Sequence, residues 1–358
     1  MKTNTFFFLR LLLSAISFWI VAFCLFVMIR YYAFATEFGQ IVNFDNDIPI
    51  SQWLEFGIWI GILVGFFYAI VEFLFEKLHL NKLSIGLVLI EKSLIYLLVL
   101  IFSTDFIMNL IEHRIDRNLP NESGWWKTSK MFWLVVGYFI LSSLIFSFIK
   151  IANEKFGKGV FFNFLIGKYR KPREEKRLFM FLDLQASTTI AEQIGHYKYS
   201  ELIQDCFYDL NQIVTKYNAE IYQYVGDEAV LCWHYKSGLK NNNCVNLFFH
   251  FQNRLLKKQK VYLKKYGLVP KFKAGLHGGK LIVTEVGSVK KEIAYHGDVI
   301  NTTARIQDEC NKYGEWLLAS EELIQDLDLV PSFQQKFIGN IVLKGKEEAS
   351  KIYAIHKI

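Results

Sequence analysis

Four long apolar stretches in the N-terminal part of the chain limit what that part can form. They cover residues 11–30, 54–74, 83–106 and 131–148. Each is close to the roughly 20 apolar residues that a helix needs to cross a bilayer, and each is too long for an ordinary buried helix. We therefore expect residues 1–150 to form a four-helix transmembrane domain.

The positions of Lys and Arg indicate the orientation of these helices, because short cytoplasmic loops carry an excess of both residues. Residues 31–53 contain neither, whereas the turn at 76–82 contains Lys77 and Lys82. A basic linker, residues 151–176, follows the fourth stretch. The pattern predicts an integral protein of the plasma or inner membrane with both termini and the C-terminal domain in the cytoplasm.

Glu91 and Lys92 are adjacent within the third apolar stretch. Charged residues inside a membrane helix are costly, so such a pair is a candidate for function. Two interpretations stay open at this point. Either the pair takes part in sensing a signal, or it lies near one end of the helix or is neutralised by partners in the bundle.

The net charge of the chain is +7, and its basic residues are concentrated after the fourth stretch, where anionic lipid headgroups are the expected partners. The C-terminal part has no basic patch interleaved with aromatic residues, which argues against nucleic-acid binding. Five scattered cysteines without a CxxC pair predict neither a disulfide framework nor a zinc site.

After the linker, the sequence changes to short apolar runs of strand length and amphipathic segments of helical period. The order is strand, helix, hairpin, helix and strand, which is typical of the split βαβ arrangement of ferredoxin-like domains. Residues 177–358 are therefore predicted to form an α+β domain, and hydroxyls of Ser187, Thr188 and Thr189 are expected to cap its first helix. Strands are expected at 177–184, 220–225, 229–233, 271–285, 292–295, 337–343 and 351–356, and helices at 187–217, at 241–266 and from 298 onward.

Two carboxylates stand at the ends of these strands: Asp183 follows the first apolar run, and Asp227 lies at the tip of the hairpin. On neighbouring strands they would share metal ions, since Mg²⁺ is usually held by one or two carboxylates plus substrate phosphates. Such a pair suffices for a two-metal phosphoryl-transfer site. Taken singly, each acid is better explained by a structural role, Asp183 as a helix cap and Asp227 as a turn residue.

Five motifs in a fixed order give the two acids a context. They are FLDLQAST (181–188), YQYVGDEAVL (222–231), KAGLHGGKL (273–281), HGDVINTTARI (296–306) and LKGKEEASKIYAI (343–355). Together they resemble the class III adenylyl and guanylyl cyclase catalytic domain, over essentially all of residues 176–358. The GDE sequence of the hairpin also resembles diguanylate cyclases, but the NTTAR and KGK motifs belong to the nucleotidyl cyclases.

Carried over residue by residue, this resemblance makes Asp183 and Asp227 ligands of two Mg²⁺ or Mn²⁺ ions in each active site, with the backbone carbonyl of Leu184 as a further ligand. Asn301 is expected to orient the ribose of the substrate. Arg305 is expected to stabilise the charge that develops on the α-phosphate, as a positioned cation does in phosphoryl transfer.

Backbone amides at a helix N-terminus bind phosphate. The resemblance places four such amides at the β and γ phosphates, those of Gln185, Ala186, Ser187 and Thr188. Lys280 and Lys344 are further phosphate candidates, although an exposed lysine is usually only solvated. The positions that select the base in the family hold Gln223, which can donate and accept a hydrogen bond, and Ala294, whose side chain can do neither.

The resemblance implies an adenylate cyclase that converts ATP to 3′,5′-cyclic AMP and pyrophosphate for second-messenger signalling. ATP is favoured because adenylyl cyclases are the commoner bacterial-type members, and GTP and the pyrimidine triphosphates stay open as substrates. Family members build the site between two catalytic domains, so a homodimer with two equivalent sites is implied. The alternative from another class is a membrane receptor whose cyclase-like domain is catalytically silent and serves to dimerise the chain.

Overall fold

The chain divides into two compact units, Met1–Ile151 and Ala152–Ile358, which are described separately. The structure is a computed structural model. It describes residues 2–37, 50–77, 85–115, 127, 130–156, 162–163, 166–289, 291–343 and 349–358.

The first unit consists of long apolar helices. They are α1 (Lys2–Glu37), α2 (Ile50–Lys77), α3 (Ile85–Ile115) and α4 (Lys130–Phe156). Within the described residues, three segments are long and apolar enough to cross a membrane: Leu11–Tyr32, Ile50–Phe75 and Phe132–Lys150. The remaining expected span, 83–106, begins at residues outside the described part and coincides from residue 85 onward with α3. Its crossing of the membrane stays a prediction.

Helices α1 and α2 approach each other closely because glycines line the contact. A Cβ atom placed on Gly61 would lie 2.6 Å from the Cα atom of Ile20, and one on Gly65 would lie 2.7 Å from the Cα atom of Ile16. Together with Gly57 these glycines are spaced by four residues along α2. Small residues at this spacing are typical of tightly packed membrane helices, because they let two backbones meet.

A buried carboxylate connects the other helices of this unit. Glu72 of α2 is 5% exposed and accepts hydrogen bonds from Lys92 of α3 at 2.9 Å, from Tyr96 of α3 at 2.7 Å and from Lys150 of α4 at 2.7 Å. We call these four residues the Glu72 cluster. Lys92 therefore has a counter-charge from α2, which agrees with the interpretation that it is neutralised by a partner in the bundle.

The second unit is built on a sheet. Its strands are β1 (Arg173–Leu184), β2 (Glu220–Val225), β3 (Glu228–His234), β4 (Phe272–Val286), β5 (Glu292–His296), β6 (Leu317–Ser320), β7 (Phe333–Val342) and β8 (Ala349–Lys357). The strand order is β2-β3-β1-β4-β6-β8-β7, and β5 also pairs with β4. The segment β2-β3-β1-β4 is antiparallel throughout, with the order of a ferredoxin-like domain, so the predicted fold class is confirmed.

The helices of the second unit are α5 (Ser187–Ile194), α6 (His196–Val214), α7 (Tyr235–Leu239), α8 (Asn243–Lys257), α9 (Gln259–Tyr266), α10 (Asp298–Tyr313) and α11 (Glu321–Asp326). The helix expected at 187–217 is interrupted at Gly195, whose φ of 78° is accessible to glycine at little cost. The helix expected at 241–266 is interrupted at Lys258. Strand β6, which is parallel to β4, and helices α7 and α11 were not predicted.

Strand β1 lies in the centre of the sheet and is buried on both faces. Leu178, Met180 and Leu182 pack in the same core as helices α6 and α8, whereas Phe179 and Phe181 pack in a second core on the opposite face. Successive side chains of a strand point to opposite faces. The next polar residue, Asp183, therefore lies on the face of Phe181, away from α6 and α8.

Candidate active site

The pairing of three strands brings the two predicted acids together. Asp183 lies opposite Glu228 in the β1–β3 ladder, and Asp227 immediately precedes Glu228 in the turn after β2. Gly226 forms this turn with a φ of 61°. Burial raises the pKa of Asp183 above its usual value, and the negative charge of Asp227 raises it further. Two mutually repelling carboxylates in one place favour binding of a cation.

Asp183 is held by two donors. The Nζ atom of Lys273, which lies opposite Asp183 in the β1–β4 ladder, is 3.2 Å from Oδ2 of Asp183. The Nε2 atom of Gln307 on α10 donates to the same oxygen at 3.1 Å. Neither residue was given a role from the sequence, although Lys273 opens the KAGLHGGKL motif and Gln307 directly follows HGDVINTTARI.

Asp227 keeps an oxygen without a partner. Its Oδ2 atom is buried and has no hydrogen bond within the described part of the chain. Burial, followed by the charge of Asp227, raises the pKa of the neighbouring Tyr199 to about 12, so this phenol stays protonated at neutral pH. A buried oxygen without a donor is costly, and carboxylate oxygens are the ligands that Mg²⁺ prefers. The residues present therefore fit a divalent metal ion.

The two acids do not form a complete cage for a metal ion. In the described residues, no group of three or more His, Cys, Asp or Glu side chains is arranged to hold a metal. Mg²⁺ is commonly bound through one or two carboxylates, with water and substrate phosphates supplying the other oxygens. The arrangement of Asp183 and Asp227 is of this open kind.

The segment after β1 turns sharply into α5. Ala186 has a left-handed backbone with φ 58° and ψ 34°, and no side chain caps the helix. The expected hydroxyl caps are therefore wrong: the helix begins at Ser187, which places Ser187, Thr188 and Thr189 in its first turn rather than before it. An uncapped first turn leaves N–H groups available to an anion.

One of the four expected phosphate-binding amides is already occupied. The N–H group of Gln185 donates to the carbonyl of Lys271 at 2.9 Å, which continues the β1–β4 pairing. The phosphate-binding role expected for the backbone amide of Gln185 is therefore wrong, because this amide donates its hydrogen bond within the sheet. The amides of Ala186, Ser187 and Thr188 stay predictions.

Helix α10 presents two different faces. Gln307, 4% exposed, points to Asp183, and the neighbouring turns bury Thr303 and Ile306. Asn301 is exposed and Arg305 is half-buried. At about 3.6 residues per turn, residues 301 and 305 share a face that lies far round the helix from residue 307. Within one chain, α10 thus directs Gln307 rather than Asn301 or Arg305 to the acids.

The sequence of the second unit matches a known family. A profile described as the adenylate and guanylate cyclase catalytic domain matches residues 170–357. The chain belongs to this family. The match begins close to the first residue of β1, Arg173, and includes every strand of the sheet. We refer to residues 170–357 as the cyclase domain.

Individual relatives agree with this assignment. The chain is 32% identical over 244 residues to Adenylate cyclase 2 of Rhizobium meliloti (strain 1021). The matched region is 68% of this chain and 64% of that relative, so the chain spans less than two thirds of its length. Two structures of a bacterial light-regulated adenylyl cyclase, each 17% identical, share the fold with TM-scores of 0.52 and 0.51. They cover 64% of this chain and 66% and 65% of theirs.

Lys280, one of the two lysines expected at phosphate, is not beside the acids of the cyclase domain. Lys280 lies about 23 Å along β4 from Lys273, at the usual rise per strand residue. Its exposed Nζ atom is 2.9 Å from Glu174. The structure therefore separates Lys280 from Asp183 of the same chain. Lys344 lies outside the described residues.

The two base-recognition positions of the cyclase domain fall in one region. Gln223 is exposed on the edge strand β2, just after an irregularity in its pairing with β3. Ala294 is half-buried on β5. Their chain neighbours Tyr222 and Tyr295 are in contact, with ring centroids 4.9 Å apart. Strands β2 and β5 therefore meet beside these two positions.

A further acid of the cyclase domain was not recognised from the sequence. Glu228 shares the strand pairing of Asp183, and burial raises its pKa to about 7, with further contributions from the charges of Asp183 and Asp308. It adds a third carboxyl group to the site without being part of the expected metal pair. Its position directly after Asp227 in the YQYVGDEAVL motif was the available signal.

Proposed function

We propose that this protein is a membrane-anchored adenylate cyclase that converts ATP to 3′,5′-cyclic AMP and pyrophosphate. The observation that carries the proposal is that Asp227 directly precedes Glu228, the strand partner of Asp183, and keeps a buried oxygen without a partner among the described residues. It occurs in a chain that belongs to the cyclase family, and the name of the relative from Rhizobium meliloti supports ATP as the substrate.

Asp183, Asp227 and the carbonyl of Leu184 would hold Mg²⁺ or Mn²⁺, two ions per site. When bound, such ions lower the pKa of an attacking hydroxyl and neutralise phosphate charge. The protein's own contribution is to fix one carboxylate at the end of β1 and the other in the adjoining β2–β3 turn, so that little reorganisation is needed when the nucleotide binds. The uncapped first turn of α5 adds N–H donors beside β1 for the phosphates.

Asn301 would orient the ribose, and Arg305 would stabilise charge on the α-phosphate. Their exposed face of α10, different from the face that reaches Asp183, supports a site completed by a second copy of the chain. In such a homodimer the acids of one copy meet Asn301 and Arg305 of the other, and two equivalent sites form. A lone subunit would then lack transition-state stabilisation.

The N-terminal helices would anchor the enzyme in the plasma or inner membrane, with the cyclase domain in the cytoplasm. Three segments long and apolar enough to span a bilayer support this anchor. The basic residues that follow α4 support the orientation, since they favour the cytoplasmic surface and its anionic lipids.

Product analysis tests the proposed activity. The full-length protein in detergent is incubated with Mn²⁺ and, separately, ATP, GTP, CTP and UTP, and cyclic products are measured by mass spectrometry. Asp227→Asn is compared with Asp205→Asn, which removes a surface carboxylate paired with Lys265 on the helical side of the domain. We expect cyclic AMP from the wild type and the Asp205 variant, and about 100-fold less or none from the Asp227 variant.

Other outcomes point to the alternatives. A cyclic guanine or pyrimidine product would assign a different substrate, an outcome kept open because Ala294 has no hydrogen-bonding side chain. Nucleotide binding without any product would indicate a catalytically silent domain that serves for dimerisation.

A further inference from the structure

Gln307 is a buried neutral amide that contacts Asp183. It lies on α10 with 4% exposure, and its Nε2 atom donates to Oδ2 of Asp183 at 3.1 Å. The two residues are 124 positions apart in the chain. Buried polar side chains are retained where they are hydrogen-bonded, so the contact between Gln307 and Asp183 needs a physical reason.

The backbone of α10 fixes where Gln307 begins. A Cβ atom placed on Gly275 of β4 would lie 2.5 Å from the backbone nitrogen of Gln307 and 2.7 Å from the carbonyl oxygen of Thr303. Only glycine permits this approach of helix to strand. Gly275 in turn pairs with Phe181, two residues before Asp183. The base of the Gln307 side chain is therefore held at a set distance from Asp183.

A second donor acts on the same oxygen. Lys273, 8% exposed, lies 3.2 Å from Oδ2 of Asp183. Helix α10 and strand β4 thus both hold Oδ2, and neither bond uses Oδ1. Two donors from different directions restrict rotation of the carboxylate, whose terminal torsion is otherwise broad.

We propose that Gln307 is a positioning residue that holds Oδ2 of Asp183 so that Oδ1 is presented to a divalent metal ion. The inference rests on the proposed function for its setting, but it concerns metal binding and not turnover. Partners behind a metal-binding carboxylate orient it, and their loss typically weakens metal binding about 10- to 100-fold. Lys273 shares this geometry but also adds positive charge, so Gln307 is the cleaner residue to change.

The test uses the full-length protein in detergent and Mn²⁺ alone. Free Mn²⁺ is followed by electron paramagnetic resonance for the wild type, Gln307→Leu and Gln307→Asn. The leucine variant removes the donor at similar volume and should bind Mn²⁺ about 10- to 100-fold more weakly. The asparagine variant keeps a shorter amide and should fall between the two.

The matched control is Thr303→Val on the same helix. Thr303 is fully buried and donates to the carbonyl of Val299, so valine removes a buried hydrogen bond without approaching Asp183. We expect its Mn²⁺ affinity to equal that of the wild type. Melting temperatures of all variants separate loss of metal binding from loss of folding.

A second readout distinguishes positioning from general damage. In the assay of cyclic nucleotide formation, Gln307→Leu should need a higher Mn²⁺ concentration for its half-maximal rate. At saturating Mn²⁺ its rate should return to that of the wild type. Unchanged Mn²⁺ affinity in both Gln307 variants, or a wild type that binds no Mn²⁺, would overturn the inference. If the wild type binds Mn²⁺ and Gln307→Leu weakens it while no cyclic product forms, the proposed activity fails and the positioning role stands.

Discussion

Two carboxylates, the buried Glu72 of the first unit and the half-buried Asp227 of the second, differ in how their oxygens are used. Glu72 accepts from Lys92 and Tyr96 with Oε1 and from Lys150 with Oε2. Asp227 leaves its Oδ2 atom without a donor among the residues that the structure describes. A satisfied buried charge holds structure together, whereas an unsatisfied one marks a place where a ligand binds.

The Glu72 cluster shows what full satisfaction does. It ties α2 to α3 and α4 through charged hydrogen bonds within an apolar bundle. Lys150 lies near the C-terminal end of α4. The comparison therefore predicts that changes at Glu72 act on stability and changes at Asp227 act on chemistry.

The largest expected effect is at Glu72. Replacing it by glutamine removes the buried carboxylate that Lys92 and Lys150 share, and breaking a buried pair costs about 3–5 kcal/mol. Unfolding of the full-length protein in mixed detergent and SDS, followed by circular dichroism, measures the loss. If Glu72→Gln unfolds at the same SDS fraction as the wild type, the cluster is not a structural tie.

Asp227→Asn comes next and should affect activity alone. The loss of a metal-binding carboxylate is expected to lower the rate about 100-fold or more, equivalent to about 2.7 kcal/mol. The melting temperature of the metal-free protein should stay the same or rise, because repulsion with Asp183 is relieved. A marked drop in melting temperature would show that Asp227, like Glu72, stabilises the fold, and would contradict the comparison.

Asp209 shows whether the hydrogen bonding of a carboxylate or its domain decides the effect of a mutation. It lies in the cyclase domain, as Asp227 does, but its oxygens are hydrogen-bonded, as those of Glu72 are. It is 1% exposed and accepts hydrogen bonds from Arg254 and Tyr262, both at 2.9 Å, and from Lys258. Asp209→Asn should destabilise the domain by about 2 kcal/mol, since hydrogen bonds to charged groups contribute about 1.5–3. The rate per folded molecule, measured with active-site titration, should not change. A rate loss comparable to that of Asp227→Asn would contradict the comparison.

The smallest effect is the pH dependence due to Glu228. Its pKa is raised from 4.5 to about 7 in the folded protein. The folded state therefore binds more protons than the unfolded state between these values, and stability falls as the pH rises through this window. Glu228→Gln should remove roughly 1 kcal/mol of this fall, a value reduced for partial exposure. Urea unfolding of the wild type and of Glu228→Gln, in EDTA at pH 5 and pH 8, measures this difference. An equal change in the free energy of unfolding between the two pH values for both proteins would contradict the prediction.

The sequence predicted what local patterns encode. Apolar runs and turn residues identified β1, the β2–β3 hairpin and the ferredoxin-like order, and hence the meeting of Asp183 with Asp227. Individual side-chain partners could not be assigned in the same way. Neutralisation of Lys92 within the bundle was one of two open interpretations, but only the packing of the helices shows that Glu72 is its partner.

The remaining differences also have local physical reasons. The long helix predicted at 187–217 is interrupted at Gly195. The apolar periodicity continues across this residue and so predicts one helix, but glycine permits the positive φ at which the helix ends. The four-residue strand β6 is too short to carry a recognisable alternation. Gln307 carries no motif of its own, since its role depends on the close approach of α10 to Gly275.

The glycine contact between α1 and α2 has a mechanical consequence for the membrane unit. Backbones that meet at Gly61 and Gly65 leave no space for a lipid chain or a side chain between them. Helices α1 and α2 are therefore expected to move together as one rigid pair. Relative motion of helices in this unit is therefore expected between the α1–α2 pair and the other helices, and the ion pair of Glu72 with Lys150 restricts it.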